Sequence, residues 1–156
     1  MIIFIIASII ALAIDLYTKQ IAFDYFERVS TSTPVIESFL YWTRAENTGV
    51  AFGMLQGMNQ VLSYVLPIIL IGLPIYMFFN RHEPKINLLL LGFIYGGALG
   101  NYYDRINIGY VRDFIDVRLG SYNYPVFNIA DAFISCSVFL LLIFSWIQGS
   151  KAKENT

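Results

Sequence analysis

Six acids and amides, Asp15, Asn101, Asp104, Asp113, Asn128 and Asp131, punctuate the apolar runs of this chain and gather toward one end of them. Asp131 is the most demanding. It lies about one turn inside a run that continues through Ala132, Phe133 and Ile134, where an unpaired charge costs at least about 2.5 kcal/mol. Asn101 and Asp104 are three residues apart, as are Asn128 and Asp131, so each pair shares a helical face and the two faces can oppose one another. The bland alternatives are a helix-end ion pair at Asp104-Arg105, and a helix cap at Asn128 with Asp131 in the field of the helix dipole.

A partner for Asp131 should come from Val111 to Arg118. A strand's period of two places Asp113 with Val111, Ile115 and Val117 on the face toward the helices, and leaves Arg112, Asp116 and Arg118 on a solvated ionic face. A bulge would break this parity. Two carboxylates meeting there cannot both ionise cheaply, so they share a proton and divide the roles of acid and base. Such a dyad turns water on a peptide carbonyl, as in aspartic peptidases. The base takes a proton from the attacking water, while the acid polarises the carbonyl oxygen and later protonates the leaving amine. This chemistry needs no metal, cofactor or covalent intermediate. Asp131, near a helix N-terminus where an anion is favoured, is expected to be the initial base and Asp113 the acid.

The elements that must position these groups are helices in lipid. A hydrocarbon core about 30 Å thick takes roughly 20 helical residues, and suitable windows lie near 2–23, 60–79, 86–103 and 127–147. With 57% hydrophobic and 13% charged residues in 156, a soluble domain would lack a water-facing surface. The expected fold is integral to the membrane and mainly α: four transmembrane helices, a small extracytoplasmic β-sheet and a short interfacial helix. It forms a single domain over 1–156, with extracytoplasmic segments at about 24–59 and 104–126. The first run has no basic n-region or small-x-small cleavage site, so it reads as a span and not as a cleaved signal. A net charge of -1, with no basic stretch carrying stacking aromatics, gives no reason to invoke nucleic acid. The expected partners are membrane lipids and membrane segments.

Cys136 lies in the last apolar run and His82 in a loop; one cysteine and one histidine argue against a Cys/His zinc site. Arg81, Lys85, Lys151 and Lys153 fall on the side of both termini, which the positive-inside tendency makes cytoplasmic. Six basic residues on the opposite side (Lys19, Arg28, Arg44, Arg105, Arg112 and Arg118) are interleaved with nine acids, which makes an ion-pair-rich outer face. There, Val35 to Thr43 reads as sheet, Asn47-Thr48-Gly49 as a turn and Ala51 to Met58 as the interfacial helix. Phe39, Tyr41 and Trp42 suit the headgroup level. Pro67 and Pro74 should bend or locally rewind the second span. Gly92, Gly96 and Gly100 form a four-residue ladder that, with Gly97, lets neighbouring backbones approach the third span.

These residues together resemble one family, lipoprotein signal peptidase (signal peptidase II). The resemblance runs through Asp15-x-x-Thr18-Lys19, Asn47-x-Gly49-x-Ala51-Phe52-Gly53, the block from Gly96 to Arg105, Gly109-x-Val111-x-Asp113-Phe114, and Phe127-Asn128-x-Ala130-Asp131. It implies a bacterial inner-membrane enzyme with its site near the outer surface. The implied substrate is a prolipoprotein carrying diacylglycerol on the cysteine after the cleavage point. By the resemblance Asp113 and Asp131 match the catalytic aspartates. Asn47, Asn101, Arg105 and Asn128 match positions that bind substrate or support the dyad, as does Asp104, while Asp15 and Lys19 are structural supports. Inhibition by the cyclic peptide globomycin is also implied, and a monomer is expected. Leu16 stands where the family usually has Gln, and Arg112 where it commonly has an apolar residue.

Three rival classes remain open to the residues alone. A proton- or ion-coupled carrier would also place acids among helices, although no inverted repeat is visible. A Ser/Lys peptidase could use Lys19 with a loop serine such as Ser38. A structural membrane protein could use the acids only for helix registry.

Overall fold

The computed structural model describes residues 1–29, 32–49, 59–79 and 83–154. Helix α1 (Ile2–Phe26) leads into an antiparallel hairpin of β1 (Ser32–Ile36) and β2 (Leu40–Asn47). Helices α2 (Asn59–Phe79) and α3 (Lys85–Ile108) follow, then β3 (Val111–Leu119), a short β4 (Tyr122–Asn123) and α4 (Ile129–Glu154). The expected interfacial helix at 51–58 and the loop residues Arg81 and His82 lie outside the described residues.

Among the described residues three helices are long and apolar enough to cross a membrane: Ile2–Phe26, Val61–Phe79 and Ile129–Ile147. Their burial is inverted relative to a soluble protein. Bulky Ile9, Ile68, Phe79, Leu142 and Trp146 face outward, whereas α1 buries Ala7, Ser8, Ala11, Asp15, Lys19 and Ala22 along one stripe. That stripe meets α3, which also packs against α2 and α4 and so occupies the centre. Its 24 residues suffice in length, but Asn101, Asp104 and Arg105 make its end polar. These three side chains are buried against protein, so the helix need not be apolar all round.

The glycine ladder accounts for the closeness of that centre. A Cβ on Gly92 would sit 2.6 Å from the Phe4 carbonyl oxygen, one on Gly96 would run into the Ser8 carbonyl, and one on Gly100 into the Asp15 carboxylate. Gly97 faces the other way, where a Cβ would lie 2.8 Å from the Ala130 carbonyl of α4. Both neighbouring helices therefore contact α3 backbone to backbone, as small residues allow in lipid.

Helix limits depart from the expected windows. α1 runs on to Phe26 and α3 to Ile108, because an interfacial turn need not be apolar; α3 stops at Gly109, whose φ of 83° forms a left-handed cap. α4 begins at Ile129, since Phe127 pairs with Ile115 as an isolated bridge. α2 continues as α-helix through Pro67 and Pro74, without the expected local rewinding.

The four strands lie in the order β1-β2-β3-β4. The segment 35–43, read as sheet, is broken by a turn at Ser38, whose φ is 64°. Phe114 packs with Ala22, Phe23 and Phe26, and Trp42, Ile115 and Ile129 close over them, which seats the sheet on the C-terminal end of α1 and the N-terminal end of α4. Trp42 is half-buried in this cluster, its ring edge-on to Tyr25 at 5.7 Å and to Phe114 at 6.5 Å. Phe39 remains exposed, and Tyr41 lies beneath the Arg118 guanidinium, 3.7 Å from ring centroid to cation.

Candidate active site

Asp113 and Asp131 meet across one asparagine. From β3, the buried Asp113 accepts the Asn128 side-chain N–H at 2.6 Å on one oxygen and the Asn47 N–H at 3.0 Å on the other. Asp131, in the first turn of α4, accepts the Asn101 side-chain N–H at 2.8 Å and the Asn128 backbone N–H at 3.3 Å. Its own backbone N–H returns to the Asn128 side-chain oxygen at 3.0 Å. That reciprocal bond is a capping box, so the bland reading of Asn128 is true and coexists with its grip on Asp113. Each of the four carboxylate oxygens therefore has one amide donor. Burial, and then the charge of Asp131, push the Asp113 carboxyl up to about 7, against the opposing pull of the Asn47 and Asn128 amides.

The strand parity carries Asp113 inward as expected, then fails one residue later. The N–H groups of Phe114 and Ile115 both reach the Phe127 carbonyl, at 3.0 and 2.8 Å, the signature of a bulge. Phe114 is consequently buried instead of turning away, and so is Asp116. Asp116 is not a solvated member of an ionic face: it accepts Thr43 Oγ1 at 2.8 Å and pairs with Arg118 at 2.6 Å.

Asp15 and Lys19 are wholly buried and paired at 2.7 Å. Lys19 Nζ also donates to the Asn101 side-chain oxygen at 2.8 Å and lies 3.4 Å from Asp104. The second Asp15 oxygen accepts the Ala130 backbone N–H at 3.0 Å, a tie between α1 and α4 for which the sequence holds no signal. Asp104 is taken by Arg112, through side-chain contacts from 2.8 to 3.2 Å and a backbone N–H at 3.0 Å. Arg112, which stands where the family commonly has an apolar residue, is an ion-pair partner; its spacing of eight from Asp104 gave no local clue. Arg105 donates to the carbonyls of Asn101 and Gly49, and its Nε is buried with no partner among the described residues. None of the Lys19 partners named above is a serine, and Ser38 is exposed in its hairpin turn, its backbone N–H on the Tyr41 hydroxyl at 3.2 Å.

Asp131 also lines an apolar opening of about 420 Å³, with Val117, Leu119, Phe127 and Ser135 on its walls. A second opening of about 410 Å³, between α3 and α4, shares Ala132 and Cys136 with it. Among the described residues, no group of three or more His, Cys, Asp or Glu side chains is arranged to hold a metal ion.

A profile of the family described as Signal peptidase (SPase) II matches residues 7–147. The chain is 36% identical to a lipoprotein signal peptidase of Anoxybacillus flavithermus, with 94% of this chain and 86% of that protein aligned. Proteins of the same name from Microcystis aeruginosa (37% identical, 94% and 93% aligned) and Halalkalibacterium halodurans (35%, 97% and 97%) are similarly related. Two solved structures titled as bacterial membrane enzymes superpose on it. One has a TM-score of 0.83 at 32% identity, covering 95% of this chain and 90% of that one; the other has 0.75 at 33%, covering 90% of each. Matched over nearly all of its length, the chain belongs to the signal peptidase II family.

Proposed function

We propose that this chain is a membrane aspartic endopeptidase that removes the signal peptide from diacylglyceryl-modified prolipoproteins, cutting before the lipidated cysteine. The observation that carries this reading is the buried pair of carboxylates with one amide donor on every oxygen. Asp131 is the base that activates water, favoured as an anion at the start of α4; Asp113 is the acid that polarises the carbonyl and protonates the leaving amine. Arg105, whose buried Nε has no partner among the described residues, and Asn47 hold the peptide backbone. The apolar openings beside Asp131 suit a substrate whose acyl chains stay in lipid while its peptide approaches from the side.

In this reading α3 is a fourth crossing, and the whole chain is one domain with both termini cytoplasmic and the sheet on the outer face. The enzyme is a monomer that lipids surround, and globomycin blocks it. The direct test is incubation of purified protein in lipid with a diacylglyceryl-modified precursor, with and without globomycin. Release of the signal peptide is expected, and chelators should leave the rate unchanged; an inert protein would reject the reading.

The acid must hold its proton, and Asp113 loses it near pH 7. Cleavage is therefore expected to fall as pH rises through about 7, roughly tenfold for each further unit. A rate profile that stays flat from pH 6 to about 9 would assign the acid's role to another group.

A further inference from the structure

Three asparagines surround the dyad, and each must turn its N–H, not its oxygen, toward a carboxylate. An amide is turned by whatever obligate donor occupies its oxygen. For Asn47 that donor is the Gly49 backbone N–H at 2.9 Å, and for Asn128 it is the Asp131 backbone N–H at 3.0 Å. For Asn101 the donors are side chains: Asn128 Nδ2 at 3.0 Å and the ammonium of Lys19 at 2.8 Å. The donors just named behind the two Asp113 amides are neutral, while one of the Asp131 donors has a cation behind it.

We propose that Lys19 is a positioning residue for the reaction: acting through the Asn101 amide, it places the negative charge of the dyad on Asp131 and leaves the proton on Asp113. A cation on the amide oxygen polarises the amide and strengthens its N–H as a donor, and such chains reinforce one another in a buried setting. The other charges facing this relay are Asp15 on α1, Asp104 and Arg105 on α3, Arg112 and Asp113 on β3, and Asp131 on α4. Asp15 and Asp104 take Lys19, and Arg112 takes Asp104, so the row is balanced and Lys19 supplies its order more than its net charge.

The inference rests on the proposed peptidase reading, and its test separates the two. Full-length Lys19→Met, Asn101→Ala and their combination are compared in lipid for cleavage of the diacylglyceryl-modified precursor. Infrared titration follows the protonated carboxyl band, assigned with Asp113→Asn and Asp131→Asn. Lys19→Met is expected to lower kcat about 10- to 100-fold with KM little changed. The acidic limb of its rate profile and the infrared midpoint should move together. Adding Asn101→Ala should cost little more, because both changes interrupt one relay. Should Lys19→Met fail to fold with Asp15 left unpaired, Asp15→Asn with Lys19→Met removes both buried charges and is read in the same way. Wild-type rate profile and infrared midpoint in a folded variant, additive losses, or failure of both variants to fold would overturn the proposal. A wild type that does not cleave, beside a moved infrared midpoint in the variant, would reject the peptidase reading and uphold the relay.

Discussion

Asp113→Asn and Asp131→Asn are each expected to lower kcat by about 10²- to 10⁴-fold in protein that remains folded, measured on the diacylglyceryl-modified precursor beside a thermal unfolding scan in lipid or detergent. The substitution keeps shape and removes the titratable proton. It also sets an NH2 group against one of the amide donors that hold each carboxylate, so a modest loss of stability should accompany the loss of rate. Asp116→Asn separates these effects. Asp116 is buried and hydrogen-bonded, but its partners are Thr43 and Arg118 and not the dyad, so that variant should lose some stability and keep its cleavage. Retained cleavage by either dyad variant would remove the proposed chemistry.

Gly96→Val is expected to abolish folded protein, or to lower its unfolding temperature by many degrees. Even the first added carbon would meet the Ser8 carbonyl oxygen and lie 2.8 Å from the Ala11 Cβ. Backbone cannot swing aside like a side-chain tip, so α1 must move as a body, at a cost of about 1–3 kcal/mol or more. Gly72→Ala in α2 is the control: nothing lies within 4 Å of its added carbon, and the change should be neutral or slightly stabilising. Thermal unfolding of both variants beside wild type checks the pair, and equal stability would mean that α1 and α3 do not touch as described. Activity should follow, because displacement of α1 carries Lys19 away from Asn101.

The apolar runs and the glycine ladder were legible because lipid imposes length and close packing on a sequence almost without exceptions. Asp113 and Asp131 were legible as a pair for a related reason, since an acid inside an apolar run must have a partner. What escaped was set by long-range geometry. The fate of Asp116 depended on two N–H groups converging on the Phe127 carbonyl, a bulge that no residue type at 114 or 115 announces. The Arg112–Asp104 pair forms only because the turn at Gly109 folds β3 back beside the end of α3. The packing of Trp42 between Tyr25 and Phe114 was equally hidden, because a residue type that suits a headgroup suits a core as well and its neighbours come from distant stretches of chain.

The bond from the Ala130 N–H to Asp15 joins α1 to α4 across more than a hundred residues of intervening chain. Asp131 lies in the first turn of α4 and Asn128 caps it, whereas the groups they hold, Asp113 and Asn101, belong to β3 and α3, so the two carboxylates come together only once α4 has docked against elements that precede it in the chain.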